Sequence, residues 1–567
     1  MNKEPVDERE AAVSTSWRTS TPEAVQPVAD RVVLRITRDD YDALRDHLIR
    51  RDEMEYAAYI VVGTRTYEDG TESVLEYLVR DIECIPPFRY NHHSEGFVSL
   101  PHDVTRDMVD TAGSDDAIAD DSAVFVVHSH PWSENPQHSS QDDQAEPPQL
   151  ASITGDREGP HGSLIVGRDE ASITGRVWPD DAGIIKEHGS PAATPLDEII
   201  VIGEHTQDRI VPTGSRLEKD ESSDHRGHDE MRDRQALLHD DSGNRDLGNA
   251  DVVVVGAGGL GSLIVQQLAH IGIGRDDGQL TIIDPDVVEE SNRSRIIGAR
   301  PEDAAVPSAV PDDDTVVPAQ WATEVEDLGT AKVDVLERYV QEVDPRITVQ
   351  TVPEVAQSEE GMAAITTADI VVSAVDRQLP RRIISRACQQ YLRPLVDAGV
   401  AIDTDGSTSI VSRVSTSVGS QPCLDCREVI NENRLQREQH GEDPEAYGLE
   451  VDQPAVMTVN GDAAQRAAFV VHRFVTGLLA ENEAPFDTGT FELTINETAP
   501  SSDTRNEECQ LCGPEALFRA RGDRAPTPEK ELTRGRPAAV RKQSVGEIVD
   551  EQQSFIDRVR EALPGLP

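Results

Sequence analysis

The chain has 567 residues, with 106 Asp and Glu against 53 Lys and Arg, so its formal net charge at pH 7 is −53. A surface this acidic repels polyanions, and we therefore expect neither nucleic acid nor an anionic membrane as a partner. No run of about 18 apolar residues occurs, so no transmembrane helix is predicted. The length indicates two or three domains.

Residues 1–30 are polar and predict a disordered leader without the apolar core of a signal peptide, which favours a cytoplasmic protein. Acidic residues are spread along the whole chain, whereas lysine occurs only six times. This distribution is typical of proteins from halophiles that accumulate salt, and we expect a halophilic protein.

Residues 31–213 mix strand-like segments with one helix, predicted near 39–51. One strand ends in His128-Ser-His130, and side chains two residues apart point to the same face of a strand, so both imidazoles can bind one metal ion. Asp142 or Asp143 can supply a carboxylate ligand, and Glu55 precedes another apolar strand. Two imidazoles, one carboxylate and a nearby Glu are typical of a catalytic zinc site.

The run from Glu55 through His128-Ser-His130-Pro to Ser139-x-x-Asp142 resembles the JAB/MPN (JAMM) metalloprotease motif, over residues 31–210. The resemblance implies an α/β metalloprotease domain. Its zinc would be bound by His128, His130 and Asp142, with Glu55 as general acid/base and Ser139 stabilising the oxyanion. The spacer before the serine is one residue longer than in the commonest form, so Ser140 and Asp143 are an alternative register. A non-catalytic MPN scaffold is the alternative function.

A polar linker is predicted at 214–230, followed by a helix near 231–239, a strand at 251–255, a glycine-rich turn, a helix at 259–272 and a strand at 279–284. This order predicts a Rossmann-like, doubly wound parallel sheet. Glycines in the turn let the backbone approach a phosphate at the start of the helix; they are Gly256, Gly258, Gly259 and Gly261. Asp284 ends the next strand, where an acidic group can bind ribose hydroxyls.

Arg295 and Lys332 offer two cations to a triphosphate, and Asp376 offers a carboxylate to Mg²⁺. These groups favour nucleotidyl transfer and disfavour an NAD-dependent dehydrogenase, which the glycine turn alone would also permit. Asp286 and Asn292 lie in the same motif region.

Residues 231–518 resemble the ThiF/MoeB/HesA adenylyltransferases of the ubiquitin-activating superfamily, on the segments MRDRQALL, GAGGLGS, DPDVVEESNRSR, DLGTAK and SAVDRQLPRR. The resemblance implies ATP and Mg²⁺ as cofactors. Asp284 would bind the ribose, Arg295 and Lys332 the phosphates, and Asp376 the Mg²⁺, while Asn292 would line the pocket. Arg234 would reach the nucleotide site of a partner subunit, which implies a homodimer.

Two Cys-x-x-Cys pairs, Cys423/Cys426 and Cys509/Cys512, predict a structural zinc site that joins distant segments, and the ThiF resemblance implies the same. A redox pair is the alternative interpretation. Residues 427–508 contain no cysteine, so the thioester step of many relatives is not expected. A basic tail with a C-terminal helix is predicted over 519–567.

The two resemblances together predict ATP-dependent adenylation of the C-terminal carboxylate of a ubiquitin-like or sulfur-carrier protein ending in Gly-Gly. They also predict zinc-dependent hydrolysis of a peptide or isopeptide bond at that terminus. The alternatives are sulfur-carrier activation for cofactor or tRNA thiolation, and a regulator that binds a ubiquitin-like protein without turnover.

Overall fold

The computed structural model describes residues 27–525 except for residue 102 and the segments 106–122, 155–158, 180–192, 218–228, 305–328, 404–407, 441–455, 480–488, 494–496, 501–503 and 514–515. The predicted leader lies outside these residues apart from 27–30, as do most of the linker and the tail beyond 525. In the described part, no helix combines the length and the apolar character that a membrane span requires.

The N-terminal unit contains a mixed nine-stranded sheet with the order β11-β10-β1-β3-β2-β6-β7-β8-β9. Its strands are β1 Arg31–Thr37, β2 Ala57–Asp69, β3 Glu72–Cys84, β6 Ala123–His130, β7 Gly162–Gly167, β8 Ile173–Val177, β9 Thr194–Pro195, β10 Glu198–Ile202 and β11 Gln207–Ile210. A separate hairpin is formed by β4 His92–Ser94 and β5 Phe97–Ser99. The described residues of this unit include the helices α1 Arg38–Leu48 and α2 Asp142–Thr154.

The C-terminal unit contains an eight-stranded sheet with the order β14-β13-β12-β15-β16-β17-β18-β19. The strands are β12 Val252–Val255, β13 Leu280–Ile283, β14 Val349–Val352, β15 Ile370–Ser373, β16 Leu395–Asp403, β17 Ser409–Ser417, β18 Gly489–Glu492 and β19 Glu497–Pro500. The first five strands in that order pair in parallel and the last three extend the sheet antiparallel. The predicted doubly wound α/β fold is therefore confirmed, and the continuous run of valines in β12 is buried because helices cover both faces of a parallel sheet.

The helices of this unit are α3 Asp233–Asn249, α4 Gly259–Ile271, α5 Lys332–Val343, α6 Glu359–Thr367, α7 Gln378–Gln390, α8 Glu432–His440 and α9 Met457–Thr476. Short 3₁₀ turns occur at Pro87–Arg89, Glu290–Asn292 and Pro301–Asp303. Helix α3 continues ten residues beyond the predicted segment near 231–239, with a kink at His239 and Asp240.

The two units share a buried interface. Apolar side chains of β1, β3 and β10 belong to the same core cluster as the helices α4 and α9; they are Val33, Val74, Leu78, Ile200 and Ile202. Residues past Cys512, including part of the segment predicted as tail, also reach the N-terminal sheet, where Gly522 pairs with Thr64 of β2. A side chain at Gly63 would lie 2.1 Å from the carbonyl oxygen of Ala520, so only glycine allows this close approach.

A buried ion-pair network also crosses the interface. Glu76 of β3 binds Arg35 of β1 and Arg393 of the C-terminal unit, and all three side chains are almost completely buried. Burial alone would raise the pKa of the Glu76 carboxyl, but Arg393 and Arg35 together lower it. Nearby, Asp369 of the C-terminal unit binds Arg209 of β11 at 2.5 Å.

Replacing Glu76 by Gln should lower the free energy of unfolding by about 3 kcal/mol, because two buried guanidinium groups lose their counterion. Chemical denaturation of the full chain measures this. The matched control is Glu342→Gln, which breaks the exposed pair with Arg300 and should cost less than about 1 kcal/mol. Equal effects of the two variants would contradict a stabilising role for the network.

Candidate active sites

The N-terminal unit brings His128, His130 and Asp142 together. The two histidines end β6 and Asp142 begins α2, and one ligand atom of each lies within 4.8 Å of the others. His128 Nε2 and Asp142 Oδ1 are 3.4 Å apart. Burial lowers the pKa of His128 to about 4, so its imidazole is neutral at pH 7, as a metal ligand must be. The donor set therefore fits zinc.

Hydrogen bonds at the start of α2 orient Asp142. The Ser139 N–H donates to Asp142 Oδ2 at 2.6 Å, and the Asp142 N–H donates to Ser139 Oγ at 3.2 Å. Asp143 instead binds Arg176 at 2.7 Å. This geometry favours the Ser139/Asp142 register over the alternative with Ser140 and Asp143.

Glu55 lies beside the histidines. Its side chain is 6% exposed, and its Oε1 is 3.9 Å from His130 Nε2. Burial, together with the charge of Asp142, raises the pKa of Glu55 to about 8. A carboxyl group with such a pKa can both accept and donate a proton near neutral pH. The Trp132 ring stacks on His130 with 5.4 Å between centroids and is 42% exposed.

A second layer of polar side chains supports α2 and was missed by the sequence analysis. Glu146 Oε2 accepts hydrogen bonds from Ser163 Oγ and Arg176 Nε, both at 2.8 Å. His138 Nε2 is 3.1 Å from Ser163 Oγ and 3.6 Å from Glu146 Oε1. The spacing of Glu146, four residues after Asp142 on a helix, could have indicated that the two share a face.

In the C-terminal unit the glycine turn follows β12 and leads into α4. Gly256 has φ +101°, and a side chain there would lie 2.8 Å from the carbonyl oxygen of Ala374. At Gly258, by contrast, a Cβ would meet no described atom within 4 Å. The turn therefore packs against β15 on one side and leaves the start of α4 open on the other, as phosphate binding requires.

Arg295 and Asn460 lie against this turn. A Cβ at Gly259 would be 3.0 Å from Arg295 Cδ and 2.7 Å from Asn460 Nδ2. Arg295 Nη1 also donates to the carbonyl oxygen of Ser291 at 2.8 Å. Asn460, on α9, was not predicted, because nothing in the sequence shows that this distant helix packs on α4.

Lys332 begins α5 and lies among the predicted acidic groups. Its Nζ is 2.8 Å from Asp286 Oδ2 and 3.9 Å from Asp284 Oδ1. Asp284 is held by the backbone N–H groups of Ala257 and Asp286, at 2.7 and 2.9 Å. Burial would lower the pKa of Lys332, but the two carboxylates raise it, so its side chain is a cation at pH 7.

Asn292, Asp376 and Arg234 are the remaining predicted residues of this unit. Asn292 is buried in a 3₁₀ turn, where its side-chain oxygen accepts the Glu289 N–H at 3.2 Å. Asp376 is exposed in the turn after β15, and its charge raises the pKa of Lys332. Arg234 is exposed on α3. Arg232, which was not predicted as a site residue, is buried instead and pairs with Asp344 at 2.8 Å.

The four predicted cysteines form one cluster. The Sγ atoms of Cys423 and Cys509, and those of Cys426 and Cys512, are 3.6 Å apart. Four thiolates around a tetrahedral zinc with Zn–S bonds of about 2.3 Å would have Sγ–Sγ distances of about 3.8 Å. The cluster therefore fits a structural zinc ion.

A comparison with protein families finds a match in the C-terminal unit. A model of the ThiF family matches residues 232–511. Residues 232–511 form a ThiF-family domain. This domain is of the MoeB/E1-like adenylyltransferase type, and such adenylyltransferases use ATP.

Curated proteins similar to this chain include the following two. The chain is 30% identical over 185 residues to "Adenylyltransferase and sulfurtransferase MOCS3" of Dictyostelium discoideum, covering 33% of this chain and 36% of the relative. It is 29% identical over 175 residues to "SAMP-activating enzyme E1" of Haloferax volcanii, covering 31% and 52%. The chain thus spans about a third to a half of the length of these relatives.

Among solved structures, "The structure of Microcin C7 biosynthetic enzyme MccB in complex with N-formylated MccA" aligns at 20% identity with a TM-score of 0.35, over 48% of this chain and 70% of that one. This overlap is too weak to support a structural argument.

Metal analysis of the purified chain should find two zinc ions per chain, one at each cluster. Cys426→Ser should remove one and His130→Ala the other, because each variant deletes a ligand. Cys84→Ser, outside both clusters, is the matched control and should retain both ions. Full zinc content in Cys426→Ser would show that the cysteines do not bind this metal.

Proposed function

We propose that the ThiF domain uses MgATP to adenylate the C-terminal carboxylate of a ubiquitin-like or sulfur-carrier protein ending in Gly-Gly. The main support is the open glycine turn with Arg295 lying against it and Lys332 close by. A carboxylate oxygen of the substrate attacks the α-phosphorus of ATP, the bond to the β-phosphate breaks, and pyrophosphate leaves. Such a step depends on positioning and on neutralising charge.

The residues around the turn divide this task. The N–H groups at the start of α4 and the cations of Arg295 and Lys332 bind the phosphates. Asp284 binds the ribose, and Asp286 and Asn292 support the pocket wall. Mg²⁺, when bound at Asp376, neutralises phosphate charge. The acyl group of this adenylate would pass to a sulfur donor, to a conjugating protein or to a lysine amine with release of AMP, since residues 427–508 hold no cysteine for a thioester on this chain.

Sulfur-carrier activation is the second candidate for the use of this adenylate. Its support is the relative named "Sulfur carrier protein adenylyltransferase", 28% identical over 184 residues.

We also propose a homodimer formed through the ThiF domain. The N-terminal part of α3 exposes Arg234 together with large apolar side chains, of which Leu237 is 87% and Leu238 58% exposed. A second copy covering this surface would bury these leucines and bring Arg234 close to the other subunit.

For residues 31–213 we propose a JAB/MPN-type hydrolase, followed by a ThiF-type unit over 231–518. The proposal rests on the motif and on the geometry of the His128, His130, Asp142 and Glu55 cluster. Zinc, when bound there, supplies a Lewis acid and an acidified water. Glu55 would accept a proton from an attacking water and donate it to the leaving amine, and Ser139 would donate a hydrogen bond to the oxyanion.

ATP–pyrophosphate exchange tests the adenylation. Exchange should require both the chain and a ubiquitin-like protein ending in Gly-Gly. Lys332→Ala and Asp376→Ala should each reduce it by about 100-fold or more, because charge neutralisation at the phosphates is lost. Arg300→Gln, an exposed cation elsewhere in the same domain, is the control. Exchange unchanged in Lys332→Ala and Asp376→Ala would refute the assignment.

Cleavage of a ubiquitin-like protein extended beyond Gly-Gly by a short peptide tests the hydrolase. Glu55→Gln should retain zinc and lose cleavage by about 100-fold or more, because the proton acceptor is gone. Glu95→Gln, exposed at the tip of the β4–β5 hairpin, is the matched control. A zinc-loaded wild type without cleavage would favour the non-catalytic scaffold.

A further inference from the structure

A buried cluster at the carboxyl end of β15, where Ser373 pairs with Asp397 near the start of β16, contains two guanidinium groups and only one carboxylate. Asp397 is fully buried, and its Oδ1 accepts a hydrogen bond from Arg381 Nε at 2.9 Å. Its Oδ2 is 2.7 Å from Arg413 Nη2. Ser373 Oγ also donates to Oδ1, at 2.8 Å. The cluster therefore carries one positive charge in excess.

This cluster lies next to the adenylation centre. Ser373 is the last residue of β15, three residues before Asp376, and Arg381 donates a hydrogen bond to the carbonyl oxygen of Val375. In parallel sheets, ligands bind outside the carboxyl ends of the strands. The excess charge is thus placed at the edge of the sheet where the substrate has to arrive.

Arg381 and Arg413 differ in their free hydrogen-bonding capacity. Arg381 is 6% exposed and is engaged by Asp397 and by the backbone. Arg413, on β17, is 19% exposed. Besides Asp397 it makes only a 3.5 Å contact with Ser415 Oγ among the described residues. Gly399 keeps space for this guanidinium, because a Cβ there would lie 2.9 Å from Arg413 Nη2.

An excess buried charge is unfavourable unless a counterion joins it. The chain has twice as many acidic as basic residues, yet Asp397 is the sole acidic side chain paired with Arg381 or Arg413 in the described part of the chain. A second carboxylate, supplied from outside, would complete the cluster, and guanidinium groups bind carboxylates through paired, charge-assisted hydrogen bonds.

We propose that Arg413, held beside Arg381 by Asp397, binds the C-terminal carboxylate of the protein substrate before adenylation. This assignment rests on the proposed adenylation and names its carboxylate subsite. Besides binding, the cation offsets the repulsion between the substrate carboxylate and the phosphates of ATP.

The test compares two forms of one probe, a ubiquitin-like protein ending in Gly-Gly with either a free carboxylate or a C-terminal amide. Binding of both forms is measured for wild type, Arg413→Gln and Arg413→Lys, together with KM values in pyrophosphate exchange. Wild type should bind the amide at least about tenfold more weakly, whereas Arg413→Gln should bind both forms equally weakly. The KM of Arg413→Gln for the carboxylate form should rise by the same factor, while its KM for ATP stays unchanged. Arg413→Lys should partly restore binding.

Arg466→Gln is the matched control. Arg466 contacts Ser412, the residue next to Arg413 on β17, and is also about one-fifth exposed. Equal binding of carboxylate and amide by wild type, or retained discrimination in Arg413→Gln, would overturn the assignment. If Arg413→Gln does not fold, the wild-type comparison and Arg413→Lys decide. Absence of pyrophosphate exchange in the wild type would refute the adenylation itself. Normal exchange in the wild type, with binding of the carboxylate form unaffected in Arg413→Gln, would refute only the carboxylate subsite.

Discussion

Glu76 lies between two arginines that come from different halves of the chain. Arg35 is on the neighbouring strand β1, Arg393 lies two residues before β16, and none of the three side chains is exposed by more than 3%. Each of these charges would be strongly unfavourable if it were buried alone. Each half therefore supplies counterions that the other needs, and the two units depend on one another for a satisfied interior.

This interface also determines how the adenylation centre is supported. Asp369 directly precedes β15 and Arg393 lies two residues before β16, and both are held by residues of the N-terminal sheet. Asp376 follows the carboxyl end of β15, and Asp397 is the third residue of β16. Contacts with the N-terminal unit therefore hold the residues that lead into both strands, a few residues before the groups that would meet the nucleotide and the substrate carboxylate.

Strand β2, which follows Glu55 of the proposed hydrolase centre, also takes part in the interface. Glu55 lies two residues before β2, and the middle of β2 is contacted by residues 520–524, just beyond the ThiF-type unit. An activating and a hydrolysing site on one folded body would meet the same modifier terminus at high effective concentration.

The sequence by itself determined the features that depend on local spacing. The doubly wound sheet follows from alternating strand and helix patterns, the His128/His130 pair from the two-residue repeat of a strand, and the glycine turn from the conformations that only glycine permits. The paired spacing of the cysteines likewise indicated one cluster, although 82 residues separate Cys426 from Cys509.

Only the tertiary structure decided the features that depend on contacts between distant segments. Asn460 reaches the glycine turn because α9 packs on α4, and Arg413 gains its place because β17 pairs antiparallel with β16. The shared interior of the two units is another such feature, since the sequence suggested domains separated by a linker. The physical reason is that burial and charge pairing are properties of neighbours in space, and a sequence pattern reports only neighbours along the chain.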